Sequence, residues 1–257
     1  MKFLCLHGLG TNSKIFELQT AQIRERLGPS CTFVFLDGDY EYEPAPGVEG
    51  VFPGPYLAWY PLIPTADELE STREEVRRVI EDEGPFDGLI GFSQGAALAA
   101  SLILQHSAES NPPVKCAIFL SGALPWLLSS ELKSLHRRYS EFECKEIAAF
   151  VPEHMKVLLA HYGHATFPRY TLDEEQALWL HPATTPLRFP VPTVFIHGGR
   201  KDYGIDQALA LIGLGDEKTG VRVLNHEMGH TVPRDDYVTD EMTEMIAWAK
   251  ERGSYYV

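Results

Sequence analysis

Hydrophobic and polar positions along this chain alternate between short apolar runs and longer stretches with helical spacing. Apolar runs bounded by glycine, proline or charged residues are typical of buried parallel strands. They predict strands at 2–7, 32–36, 86–92, 114–120, 191–197 and 221–226. The stretches between them predict amphipathic helices at 13–27, 65–83, 206–213 and 237–252, with a buried helix over 96–104. The alternation predicts an α/β protein built on a mainly parallel, doubly wound sheet.

Two irregular segments interrupt this rhythm. Segment 37–64 is rich in proline, glycine and aromatic residues and follows a predicted strand, so it leaves the sheet at the edge where open α/β folds bind ligands. It is either a wall of a ligand site, with Tyr56, Trp59 and Tyr60 as contacts, or a loop held by its own aromatic cluster. Segment 123–190 has mixed helical character, no clear strand and many aromatics, including Trp126. It predicts a helical lid inserted within a single domain spanning 1–257.

The stretch from Leu89 to Leu98 predicts a buried strand, a very sharp turn and a buried helix. Ser93 occupies the turn between Gly91 and Gly95, which matches the G-x-S-x-G pattern of a nucleophile elbow. In such an elbow, strand and helix approach so closely that the flanking side chains must be almost absent. Ser93 is therefore the predicted nucleophile.

A serine hydroxyl needs a base within hydrogen-bond reach, and the base needs an acceptor that fixes its tautomer. In this architecture the acid and then the histidine follow the serine along the chain, in loops after later strands. Asp202 and His230 occupy such loops. Asp206 is the alternative acid, although its position at the start of a predicted helix suggests a helix cap instead. His226 is the alternative base, although it falls at the end of the predicted strand. The turn after the first strand would bring the backbone N–H of Leu9 toward the serine as one arm of an oxyanion hole.

Two cofactor patterns compete with this interpretation. Residues 226–230 read H-E-M-G-H, which matches the H-E-x-x-H zinc signature. That chemistry needs both histidines on one helical face, whereas a strand-like run precedes them and Gly229 and Pro233 break any helix. The glycine-rich turn at 8–13 has Ser13 where a dinucleotide fingerprint needs its third glycine. We therefore expect neither a metal nor a cofactor.

Composition narrows the range of partners. The formal net charge of −14 disfavours nucleic acid and anionic membrane surfaces. No apolar run is long enough to span a bilayer, and the first residues lack the pattern of a signal peptide. The four cysteines are widely spaced, without a C-x-x-C pair. These features predict a reduced, cytoplasmic protein.

Taken together, the motifs resemble a known family. They are C-L-H-G-x-G-x-N at 5–12, G-F-S-Q-G at 91–95, H-G-x-x-x-D at 197–202 and G-H-x-V-P at 229–233. In this order they are similar to the family of serine hydrolases abbreviated FSH, which are α/β-hydrolases frequent in fungi. The resemblance implies an α/β-hydrolase fold, the roles above for Ser93, Asp202 and His230, and an oxyanion hole formed by the N–H groups of Leu9 and Gln94. It also implies esterases or thioesterases, some of which release polyketide chains.

The predicted function is hydrolysis of an ester or thioester of a hydrophobic acyl group, polyketides included, through an acyl-enzyme on Ser93. The alternatives are a carbon–carbon bond hydrolase or lyase with the same residues, and a ligand-binding protein without catalysis. The substrate is a small molecule or an acyl group delivered by an acyl carrier protein. Such a carrier is acidic, so it would need the basic segment 136–138 as its docking site.

Overall fold

The computed structural model describes residues 1–105, 112–131, 175, 177–182 and 185–255. Numbered along the described chain, the strands are β1 (Lys2–Leu6), β2 (Thr32–Leu36), β3 (Tyr40–Glu41), β4 (Leu57–Ala58), β5 (Gly88–Phe92), β6 (Cys116–Leu120), β7 (Trp126–Leu128), β8 (Ala177–Trp179), β9 (Thr193–His197) and β10 (Val221–Asn225). The α-helices are α1 (Ser13–Gln19), α2 (Ala21–Leu27), α3 (Ala66–Glu83), α4 (Gln94–Gln105), α5 (Ile205–Ile212) and α6 (Asp236–Gly253).

Six of these strands form one parallel sheet in the order β10-β9-β6-β5-β1-β2 within the described residues. Successive side chains of a strand point to opposite faces, and β1 shows this directly. Leu4 and Leu6 join a core shared with α3, α4 and α5, whereas Phe3 and Cys5 join a second core shared with α1, α2 and α6. Helices therefore cover both faces, and the predicted doubly wound parallel sheet is confirmed.

Local signals account for most helix boundaries. Thr65 and Glu68 form the expected capping box at the start of α3, with each side chain bonded to the other residue's backbone N–H. The helix predicted over 13–27 is instead two helices that meet at Thr20, whose hydroxyl donates to the Phe16 carbonyl at 2.8 Å. A threonine bonded back to the preceding turn competes with regular helix geometry, which is the physical reason for the break.

The two irregular segments contain short antiparallel ribbons. In segment 37–64, β3 pairs with β4, and the ribbon is tied to the first βα turn through hydrogen bonds from Gly10 N–H to the Leu57 carbonyl and from Leu57 N–H to the Thr11 carbonyl. In segment 123–190, β7 pairs with β8, so the expectation of no strand there was wrong. Strands this short carry too little periodicity to be detected. The predicted helical lid lies mostly at 132–174, outside the described residues.

All six strands of the main sheet point the same way, so the loops that follow them meet at one edge. Ser93 follows β5, Leu9 lies in the turn after β1, and His230 lies in the loop after β10. Asp202 follows β9 after a single 3-10 turn, Gly199–Lys201. In the described part of the chain, no helix has the length and apolar character needed to cross a membrane. The cytoplasmic location and the single-domain organisation stay predictions.

Candidate active site

Ser93 lies on a strained turn between β5 and α4. Its φ of 52° is in the left-handed region, which a residue with a side chain rarely adopts. A Cβ atom on Gly91 would lie 2.5 Å from the Cα of Ala96, and one on Gly95 would lie 2.2 Å from the carbonyl oxygen of Leu6. Only glycine permits this approach of helix to sheet, so the elbow predicted from G-x-S-x-G is present in the geometry.

The side chains of Ser93, His230 and Asp202 form a continuous series of hydrogen bonds. His230 Nε2 lies 2.9 Å from Ser93 Oγ, and His230 Nδ1 lies 2.7 Å from Asp202 Oδ1. A carboxylate accepts, so Nδ1 carries the proton in this arrangement and Nε2 is left to accept the serine hydroxyl. The three residues converge at one edge of the sheet, as the chain order predicts.

Asp202 is 1% exposed, and its carboxylate is held by the turn that carries it. Besides His230, the backbone N–H groups of Gly204 and Gly198 donate to its two oxygens at 2.8 and 3.3 Å. Burial acts to raise the pKa of Asp202, but the hydrogen bond and electrostatic attraction of His230, followed by the Ser121 side chain and the Gly204 N–H, outweigh it and hold the pKa well below its usual range. The carboxylate is thus ionised and fixed in orientation.

The alternative acid and base have other surroundings. The expectation that Asp206 caps a helix was wrong, because Gly204 occupies the N-cap position of α5 and Asp206 lies in its first turn. His226 lies directly after β10; its backbone N–H donates to the His197 carbonyl, and its Nδ1 accepts the Met228 N–H at 3.2 Å. Residues 226–230 form an irregular loop rather than a helix, so the geometry that the H-E-x-x-H pattern requires is not present.

The proposed oxyanion donors border the same space. Leu9 and Gln94 both line the cavity that contains Ser93, and Gln94 is the first residue of α4, where a helix presents unpaired N–H groups. Among the described residues, neither backbone N–H donates to another protein group. The Gln94 side chain instead holds segment 37–64: its Oε1 accepts the backbone N–H of Trp59, and its Nε2 donates to the Tyr60 carbonyl.

The cavity above Ser93 encloses about 900 Å³, within the range of small-molecule sites. Tyr60 and Trp126, two of the predicted substrate contacts, line it, and their contact with substrate stays a prediction. Trp59 and Tyr56 do not line it. The Trp59 indole is buried behind the wall, with its N–H donating to the His7 carbonyl at 2.8 Å, and the Tyr56 hydroxyl donates to the Phe52 carbonyl at 2.7 Å. Segment 37–64 is therefore both anchored by its own contacts and part of the cavity wall.

Sequence reasoning missed several residues next to the site. The rings of Phe92 and Tyr203 pack against the His230 imidazole, with centroids at 5.2 and 4.2 Å. Trp179 packs on Trp126 with ring centroids 4.5 Å apart, and both face the cavity. Phe92 and Tyr203 directly adjoin predicted site residues in the sequence, and that adjacency is the signal that could have identified them.

A parallel sheet covered on both faces, with a serine on a strand-to-helix elbow and its partners in later edge loops, defines the α/β-hydrolase fold. A solved carboxylesterase from Mesorhizobium loti shares this fold at a TM-score of 0.53 and 15% identity, covering 96% of this chain and 88% of that one. Acyl-protein thioesterase 2 of Zea mays gives a TM-score of 0.51 at 19% identity, covering 97% and 93%.

The sequence matches the serine hydrolase (FSH1) family over residues 1–242, and the chain belongs to that family. Esterase alnB of Emericella nidulans is 32% identical in an alignment 283 positions long, gaps included, that covers 96% of this chain and 96% of that one. The resemblance inferred from the motifs is thereby confirmed. The chain is an enzyme of the esterase and serine hydrolase class.

Proposed function

We propose that this enzyme cleaves an ester or thioester of a hydrophobic acyl group through an acyl-enzyme on Ser93. The observation that carries the proposal is the hydrogen-bonded series Ser93–His230–Asp202 facing a large cavity with aromatic walls. The nucleophile, its base and the group that orients the base stand in the required mutual geometry.

In the first half of the reaction, Ser93 Oγ attacks the carbonyl carbon while its proton passes to His230 Nε2. The carbonyl oxygen becomes an oxyanion, which accepts hydrogen bonds from the N–H groups of Leu9 and Gln94. The positive imidazolium is stabilised by the Asp202 carboxylate. When the carbonyl re-forms, the bond to the leaving oxygen or sulfur breaks, and His230 gives its proton to that atom.

In the second half, a water molecule attacks the acyl-enzyme and transfers a proton to His230 Nε2. The bond between Ser93 Oγ and the acyl carbon then breaks, and His230 returns the proton to the serine oxygen. The products are a carboxylic acid and the free enzyme, and the two half-reactions together consume one water.

The cavity wall supports a hydrophobic acyl group. Trp126 and Trp179 form an aromatic surface in the lining, and Tyr42, Phe52 and Tyr60 of segment 37–64 add further rings to it. Glu43 also lines the cavity, which disfavours an anionic acyl group beside that loop. A polyketide-derived acyl group meets these requirements. Delivery by an acyl carrier protein stays a prediction, since the proposed basic docking segment at 136–138 lies outside the described residues.

The test compares wild type, Ser93→Ala and the exposed-turn control Ser30→Ala on p-nitrophenyl esters of graded acyl length and on matched acyl thioesters. Rates should fall by about 10³-fold or more in Ser93→Ala only, because nucleophilic catalysis is lost. Mass spectrometry after rapid acid quench should find the acyl group on the peptide containing Ser93. Persistent activity in a folded Ser93→Ala protein would refute the proposal. A β-diketone in the same assay tests the carbon–carbon alternative.

A further inference from the structure

Two aromatic rings pack against the imidazole of His230, and they differ in burial. Phe92 lies with its ring centroid 5.2 Å from that of His230 at an interplanar angle of 46°, and it is buried in the core. Tyr203 lies closer, at 4.2 Å and 31°, and is 52% exposed. Both rings also line the cavity. The histidine is therefore contacted by one ring fixed in the core and by one ring facing solvent.

The hydrogen bonds of His230 leave one motion weakly restrained. Its two nitrogens bond to Asp202 Oδ1 and Ser93 Oγ. Small changes in χ1 and χ2 that tip the ring out of its plane are opposed only weakly by two hydrogen bonds that lie in that plane. Contacts on the ring faces oppose this tipping directly, because van der Waals repulsion rises steeply at close packing.

Tyr203 lies in the same turn as Asp202, whose carboxylate orients His230. Tyr203 lies between Asp202 and Gly204, and the Gly204 N–H donates to Asp202 Oδ1 at 2.8 Å. The same turn is closed by Ile205 N–H donating to the Asp202 carbonyl at 3.1 Å. The turn that fixes the carboxylate therefore also fixes the backbone of Tyr203.

We propose that Tyr203 is a positioning residue, whose ring holds the His230 imidazole in the plane needed for proton transfer and favours its imidazolium form. This inference rests on the proposed function. The face of an aromatic ring attracts a cation, and in the catalytic cycle His230 gains a positive charge when it takes the proton of Ser93. The contact is thus stronger in the charged intermediate than in the resting enzyme, which raises kcat rather than substrate affinity.

The experiment measures kcat and KM for a short ester, p-nitrophenyl acetate, and the labelling rate of Ser93 by a small fluorophosphonate. The variants are Tyr203→Ala, Tyr203→Leu and Tyr203→Phe, with Tyr237→Ala as a control because Tyr237 is 75% exposed and does not line the cavity. In the Ala and Leu variants, kcat and the labelling rate should both fall about tenfold with KM changed less than about twofold. Tyr203→Phe and Tyr237→Ala should match wild type.

Three results would overturn the proposal. Wild-type kcat in Tyr203→Ala would show that the ring does not act on His230. A rise in KM alone would assign Tyr203 to substrate contact instead. Equal losses in the Phe and Ala variants would assign the effect to the hydroxyl group. The proposed function itself is tested separately by Ser93→Ala, which should lose labelling completely. Labelling that persists in Ser93→Ala would refute the proposed function, whatever the variants at position 203 show.

Discussion

Arg73 links α3 to the aromatic side of the cavity through a guanidinium with no exposed surface. It donates to the Trp126 carbonyl at 2.7 Å and to the Ser101 hydroxyl at 2.6 Å, and it pairs with Glu131 at 3.1 Å and Glu70 at 3.3 Å. We expect Arg73→Met to destabilise the fold and to weaken binding of long acyl groups, because the backbone of Trp126 loses its charged anchor.

The size of the stability loss in Arg73→Met depends on which hydrogen bonds the partners of Arg73 keep after the substitution. Removing one member of a buried ion pair costs about 3–5 kcal/mol when the other charge is left without compensation. Here the Trp126 carbonyl keeps the Ser101 hydroxyl at 2.5 Å, and the Glu131 side chain, 18% exposed, keeps the Leu128 N–H at 2.7 Å. The loss should therefore be near the lower limit, about 3 kcal/mol. For a domain of this size that is a fall in melting temperature of about 6–12 °C.

Urea unfolding of wild type, Arg73→Met and Arg77→Met measures this difference. Arg77 is the matched control, since it also pairs with Glu70 but its side chain is 24% exposed, and such pairs contribute about 0–1 kcal/mol. In the activity assay, the KM for p-nitrophenyl octanoate should rise in Arg73→Met, while the kcat for p-nitrophenyl acetate is retained. A stability loss no greater than that of Arg77→Met would refute the reasoning.

Two further predictions concern carboxylates. Asp202→Asn should lower kcat by about 10³- to 10⁴-fold with the fold intact by circular dichroism, because an amide cannot fix the His230 tautomer as a carboxylate does; activity within about tenfold of wild type would contradict the assignment. Asp87 is partly buried, which acts to raise its pKa, but the Lys2 backbone N–H and the Lys115 ammonium outweigh burial and lower it. Its contribution to stability is then full above the ordinary carboxyl pKa of about 4 and is lost as the pH falls through the lowered value. Asp87→Asn should therefore cost about 1–2 kcal/mol at pH 7 and progressively less below pH 4 in urea unfolding, and a pH-independent difference would contradict this.

The elbow could be predicted from the sequence because its determinants are local. A strand, a serine between two glycines and an apolar helix lie within one short stretch, and each of them restricts the backbone independently. The choice of base was less local. His226 and His230 lie in one loop, and they are separated by a chain reversal in which Glu227 has a φ of 55°. No spacing rule encodes that conformation, and both histidines follow the serine and the acid, so His230 was favoured only because the strand pattern extends to His226 and the loop follows it.

The aromatic walls show where pattern analysis fails. Trp59 and Trp126 both lie in irregular segments, yet only Trp126 faces the cavity. The difference depends on a polar contact made by each residue: the Trp59 indole N–H donates to the His7 carbonyl, which draws its ring inward, whereas the Trp126 carbonyl is held by Arg73 and Ser101. With its backbone held, the ring of Trp126 is left to pack on Trp179. Hydrogen-bond partners distant in sequence therefore decide which aromatic residues face the cavity, and changing Arg73 should alter the range of acyl groups accepted without touching Ser93, His230 or Asp202.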